Sequence, residues 1–99
     1  MTSPNVKAEH GRDALYYVKV QDQHGMKVTC KLGGTVKLVK AVQHFTNIHY
    51  KSMELDQWRL LLDGQRVYFA TDTPLTLGIE PGTAKDPEVF DIFTEQSGG

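Results

Sequence analysis

The chain contains a single cysteine and a single tryptophan among 99 residues. One cysteine, Cys30, excludes an internal disulfide and a cysteine zinc site, and a reducing compartment is the natural expectation. Charge of one sign is also missing. Lys plus Arg number 11 against 12 Asp plus Glu, for a net charge of -1, which argues against a nucleic-acid platform, because neutralising phosphates requires a cationic excess on at least one face. No apolar run approaches the ~20 residues that span a bilayer, and no basic stretch followed by an apolar one marks a secretory signal at the amino end. Paired carboxylates, a Ser-His-Asp set and a glycine-rich phosphate loop are absent too, so no enzyme and no cofactor is expected. His44 and His49 are five apart, which is not the one-turn spacing that brings two imidazoles to a metal.

What is present suits one domain. Residues 1–13 carry Val6 as their one β-branched hydrophobe and are read as a disordered tail, since they bury too little apolar surface to offset ordering entropy. The folded body is assigned to residues 14–94 and a flexible tail to 95–99. Tyr16, Val18 and Val20 alternate with Tyr17, Lys19 and Gln21, the period of a half-buried strand over Leu15 to Gln21. Asp22 to Gly25 offers turn chemistry, and Met26 to Leu32 is the expected partner strand of a hairpin. Cys30 falls on the apolar side of that strand, as a small buried hydrophobe. Thr35 is placed as the cap of a helix from Val36 to about His49, with Leu38, Ala41, Val42, Phe45 and Ile48 on one face.

Trp58 to Leu62 reads as a third strand. Asp63-Gly64 is a two-residue hairpin signal, leading into a short strand from Gln65 to Tyr68. Thr73-Pro74 through Gly78 reads as one helical turn, with Thr73 as cap, Pro74 where its missing N–H costs nothing, and Gly78 as terminator. Val89 to Phe93 is the last strand, with Phe90 and Ile92 toward the core and Phe93, like Leu61, toward the open face. One helix covering one face of a mixed sheet is an α+β arrangement.

Four stretches carry a finer likeness. They are Trp58-Arg59-Leu60-Leu61-Leu62-Asp63-Gly64-Gln65-Arg66-Val67, then Asp72-Thr73-Pro74 through Leu77-Gly78, then Phe90-Asp91-Ile92-Phe93, and finally Glu95-Gln96-Ser97-Gly98-Gly99. In that order they resemble the small ubiquitin-like modifier (SUMO) family, with its ubiquitin-like β-grasp fold. The segment between the helix and Trp58 and the loop Glu80 to Glu88 are longer than the family's usual ones, which marks a divergent member.

The resemblance implies a conjugated protein tag. Gly99 would supply the reacting carbonyl and Gly98 the steric clearance, because a residue without Cβ lets other backbones approach closely. Gln96 and Ser97 would lie extended in the clefts of the activating enzyme, the conjugating enzyme and the processing protease. On this reading the chain ending at Gly99 is the mature form. Val6-Lys7-Ala8-Glu9 fits the family's acceptor pattern, which makes Lys7 a candidate acceptor for chains. Val28, Cys30, Lys31 and Leu32, with Ala41, His44 and Ile48, match the groove that takes SUMO-interacting-motif peptides by strand addition. Asp63, Gly64 and Gln65 match the conjugating enzyme's non-covalent contact. Implied partners are those enzymes, ligases and substrate proteins. Neither nucleic acid nor membrane is expected as a partner, and the chain is expected to be a monomer in nucleus and cytoplasm. The rival reading is a non-conjugated ubiquitin-like adaptor domain, which needs no reactive carboxylate.

Overall fold

The computed structural model describes residues 14–50 and 54–94. The elements run β1 (Leu15–Gln21), β2 (Lys27–Gly33), α1 (Val39–His49), a 3-10 turn (Leu55–Gln57), β3 (Trp58–Leu62), β4 (Gln65–Val67), α2 (Pro74–Leu77) and β5 (Glu88–Thr94). The strands form one five-stranded sheet in the order β2-β1-β5-β3-β4. Only β1 and β5 pair in parallel; the other ladders are antiparallel. The expected α+β arrangement, a mixed sheet under one main helix, is thus observed.

Alternation decides the faces. Tyr16, Val18 and Val20 of β1 share a face with Val28 and Leu32 of β2, Phe90 and Ile92 of β5, and Trp58 and Leu60 of β3, and all of these are buried. Against this face α1 sets Ala41, Val42, Phe45 and Thr46. Phe45 is at the centre of an aromatic group. Its ring centroid lies 5.1 Å from His49, 5.7 Å from Tyr50 and 6.0 Å from Trp58, the last pair being edge-on at 84°, a favoured arrangement for rings with a negative face and a positive edge. Among the described residues, α1 packs on the buried face and not on the opposite one. There Leu61 is half-buried and Phe93 is 39% exposed, as the alternation predicts.

Two features of α1 differ from the sequence reading. The helix begins at Val39, not Val36, and Thr35 does not cap it. The reason is tertiary. The N–H groups of Leu38 and Val39 donate to the carbonyls of Asp72 and Phe69 at 2.8 and 2.9 Å, so a distant loop satisfies donors that a side-chain cap would otherwise serve. Ile48 is 51% exposed. At about 100° per residue it lies roughly 80° off the stripe that Leu38, Val42 and Phe45 define, whereas His49 lies close to its middle. His49 accordingly stacks on Phe45, and its Nε2 is 3.3 Å from the Lys27 carbonyl. Strand bounds shift by a residue: β2 runs to Gly33, β4 stops at Val67, and β5 spans Glu88–Thr94.

The turns follow the local chemistry. Asp63 and Gly64 take φ of 54° and 82°, the pair of positive values that a tight hairpin needs. Thr73 caps α2 as expected: its Oγ1 accepts from the Thr76 N–H at 3.1 Å while Thr76 Oγ1 accepts from the Thr73 N–H at 2.8 Å. Gly78 ends the turn at φ 68°.

Asp22 organises the β1–β2 turn. Its Oδ1 accepts from the N–H groups of His24 and Met26, each at 2.9 Å, and its Oδ2 accepts from the Tyr50 hydroxyl at 2.5 Å. The turn is thereby tied to the residue that follows α1. Partial burial alone would raise the Asp22 carboxyl, but the hydrogen bonds from Tyr50, Met26 and His24 and the nearby imidazole hold it below the usual aspartate range. Tyr50 is raised, first by its bond to Asp22, then by burial and the adjacent charge.

Two expectations follow. Phe45→Ala empties the centre of the core and should cost about 3–5 kcal/mol in a urea unfolding titration, whereas exposed Leu15→Ala should change the midpoint little. The Asp22–Tyr50 bond should also shape stability against pH. A lowered Asp22 pKa contributes stability that is complete above the unfolded value and lost as pH falls through the folded one. A raised Tyr50 pKa contributes stability that is complete below about pH 10 and lost as pH rises through its folded value. Tyr50→Phe should therefore reduce both the acid and the alkaline fall in thermal midpoint. Unchanged limbs on both sides would refute the link.

Candidate functional site

The conjugation residues expected from the sequence, Gln96, Ser97, Gly98 and Gly99, lie outside the described residues, as does the candidate acceptor Lys7. What the structure describes is the strand that leads to the tail. β5 lies between β1 and β3 and is hydrogen-bonded to both. It ends at Thr94, five residues before Gly99.

The proposed peptide groove divides. β2 is an edge strand of the sheet, so one side of its backbone is free to pair with an added strand. Val28 and Leu32 are buried at 8% and 7% exposure, and Ala41 is fully buried; these three belong to the core and form the floor beneath any bound strand. Cys30 is half-buried and packs against that core. Burial pushes its thiol up from the ordinary value, which leaves it a weaker nucleophile at neutral pH. His44 and Ile48 are exposed and share the side of α1 that carries Ala41, at spacings of three and four. Lys31 is exposed but lies on the other face of the sheet. It pairs across the ladder with Tyr17, and its Nζ sits 5.9 Å from the Tyr17 ring centroid. It thus flanks the edge and does not line the groove. The accessible part of this surface is Cys30, His44 and Ile48 beside the open edge of β2.

Asp63, Gly64 and Gln65 are all exposed at the tip of the β3–β4 hairpin. Next to this hairpin a cleft of about 380 Å³ has an apolar floor of Leu55, Val67 and Phe69. Arg66 lies over the Tyr68 ring, 4.9 Å from its centroid, a cation–π contact. Sequence reading did not pick out this cleft, because its floor and rim come from three separate segments.

Sequence reading also missed a pocket of about 240 Å³ at the end of the sheet where β1 and β5 finish and β3 begins. Asp22, Tyr50, Trp58, Ile92 and Phe93 are among its walls. The rings of Tyr50 and Trp58 lie 5.1 Å apart. Trp58 is 3% exposed, and its Nε1 is the buried side-chain polar atom without a hydrogen-bond partner among the described residues. No group of three His, Cys, Asp or Glu among the described residues could hold a metal ion, and none of the described helices is long and apolar enough to cross a membrane.

No protein-family model matches the chain, and no curated protein matches its sequence. Solved structures do match in fold. One is a ubiquitin from Caldiarchaeum subterraneum, with a TM-score of 0.65 at 18% identity, covering 87% of this chain and 100% of the archaeal one. An identity that low speaks to the fold alone. With the helix, the strand order and the mixed sheet already described, it establishes that this chain has the ubiquitin-like β-grasp fold.

Proposed function

We propose that the chain is a SUMO-type protein modifier, activated at the Gly98-Gly99 carboxylate and joined by an isopeptide bond to lysines of other proteins. The observation that carries this reading is the placement of Gly98-Gly99 five residues beyond the last strand of a β-grasp domain. β5 is paired on both sides, which gives Thr94, the last described residue before the glycines, a rigid base. The D-G-Q-R hairpin and the T-P-x-x-L-G turn, with its capping box, support the finer SUMO assignment.

The chemistry is acyl transfer. The Gly99 carboxylate attacks the α-phosphorus of ATP and releases pyrophosphate. A cysteine thiolate of the activating enzyme then attacks the acyl carbon and releases AMP. After exchange to the conjugating enzyme's cysteine, a substrate lysine amine displaces that thiolate and forms the amide. The thiolate and amine attacks each require a clear path to the carbonyl carbon, and glycine at both positions leaves the backbone open. The modifier contributes no catalytic side chain; its folded surface contributes recognition. The non-covalent part of the reading is strand addition at β2 by a Val/Ile-rich peptide with acidic flanks, with Lys31 beside the edge attracting the flanks.

Gly99→Phe should abolish thioester formation on a SUMO activating enzyme with ATP, while the unfolding midpoint stays that of the parent. Efficient thioester formation by the variant would overturn the reading, as would transfer of the parent by ubiquitin enzymes but not by SUMO enzymes. A Val/Ile-rich acidic peptide should shift the amide resonances of Lys27–Gly33 and of α1, and Lys31→Glu should weaken it about threefold. Shifts absent from residues 28 to 48 would count against the groove.

A further inference from the structure

The pocket between the β1–β2 turn and the end of β5 includes Thr94, the last described residue before the tail, and the proposed function assigns it no role. A second hollow of about 370 Å³ adjoins it. The two share Asp22, Gln23, Ile92 and Phe93, and the second adds Gln21 and Asp91. Phe93 is therefore a ridge between them, 39% exposed. On one side of the ridge is the Asp22 carboxylate beside the Tyr50 and Trp58 rings. On the other is the exposed Asp91 carboxylate, which accepts a hydrogen bond from Gln21 Nε2 at 3.2 Å.

Three properties of this cleft agree on one ligand chemistry. Its walls carry two carboxylates and neither lysine nor arginine among the described residues. Asp22 stays ionised because its hydrogen bonds to Tyr50, Met26 and His24 favour the charged form. The apolar part is aromatic: half-buried Tyr50 and exposed Phe93 can pack along an aliphatic stem and favour a cation over their ring faces, with buried Trp58 behind Tyr50. The third is Trp58 itself. Its indole N–H is buried without a partner, an arrangement that disfavours the unliganded state and is relieved by a hydrogen-bond acceptor. A peptide with basic side chains brings both halves, cationic groups for the carboxylates and backbone carbonyls for a donor.

We propose that this acid-and-aromatic cleft is a docking site for a basic peptide segment of a partner protein, one basic side chain entering beside Asp22 and Tyr50 and a second pairing with Asp91 across the Phe93 ridge. The site does not depend on conjugation, and its charge preference is opposite to that of the β2 edge, which is flanked by Lys31.

The single tryptophan helps the test, because Trp58 borders this pocket and the cleft beside the β3–β4 hairpin, and the amides of 22–24 and 91–94 distinguish the two. The probe is an acetylated, amidated hexapeptide with two arginines separated by one residue, titrated into the full chain; the same peptide with two glutamates is the control. The arginine peptide should shift the indole resonance and the amides of 22–24, 50 and 91–94. Asp91→Asn and Phe93→Ala, both at exposed positions, should each weaken it about threefold with unchanged thermal midpoints. Asp22→Asn, which keeps the acceptor for the turn amides, combined with Asp91→Asn should weaken it about tenfold or more. The proposal is overturned if the variants bind as the parent does, if the glutamate peptide shifts the same resonances equally, or if the shifts fall outside this cleft. Binding seen only after removal of residues 1–13 would also overturn it, by assigning the cleft to the chain's own Lys7–Arg12 segment.

Discussion

The structure depends on the parallel pairing of β5 with β1. Val20 lies opposite Phe90, and Gln21 opposite Asp91. This ladder places the last strand of the chain in the middle of the sheet, so β3 and β4 complete the sheet on one side and the β1–β2 hairpin on the other. A parallel pair cannot be joined by a tight turn. The intervening chain must cross the sheet, and α1 makes that crossing with Ala41, Val42 and Phe45 against the buried face. The hydrophobic core and the strand order are two consequences of this one pairing.

The same pairing arranges the surfaces. β2 and β4 are left as edges, and β2 is the one that α1 flanks with His44 and Ile48. The ends of β1, α1 and β5 and the start of β3 converge at one end of the sheet, where the bond between Asp22 and Tyr50 closes the turn against the helix terminus. The acid-and-aromatic cleft exists because these ends meet there. The open face carries Leu61 and Phe93, because α1, the one long helix among the described residues, covers the other side. A domain of this size thus presents an edge, a hairpin tip and a cleft on a rigid frame, which suits a protein that is recognised by others.

Local physics explains which parts were legible. The period-two alternation of Tyr16, Val18 and Val20, the positive φ values at Asp63-Gly64, and the cap at Thr73 each depend on a few neighbouring residues, and each was readable in advance. The start of α1 was not, because the partners of the Leu38 and Val39 N–H groups are carbonyls some thirty residues away. The helix stripe was readable but its centre was not. Ile48 and His49 differ by one position, and only the placement of Phe45 against Trp58 and Tyr50 turns His49 inward. Among the groove residues, sequence alternation could not separate core from surface; the structure gives Val28, Leu32 and Ala41 to the core and leaves Cys30, His44 and Ile48 accessible.

By itself the sequence determined the element types, the hairpin at Asp63-Gly64, the cap at Thr73 and the motif order that resembles a β-grasp fold, because turn geometry, capping and amphipathic period are short-range properties. Only the tertiary structure decided that Lys31 lies across the sheet from the groove, that Asp22 holds Tyr50, and that the buried Trp58 ring lies against Tyr50. The Asp22–Tyr50 bond joins residues 28 positions apart, and no local rule fixes which distant side chains meet once the strands have paired.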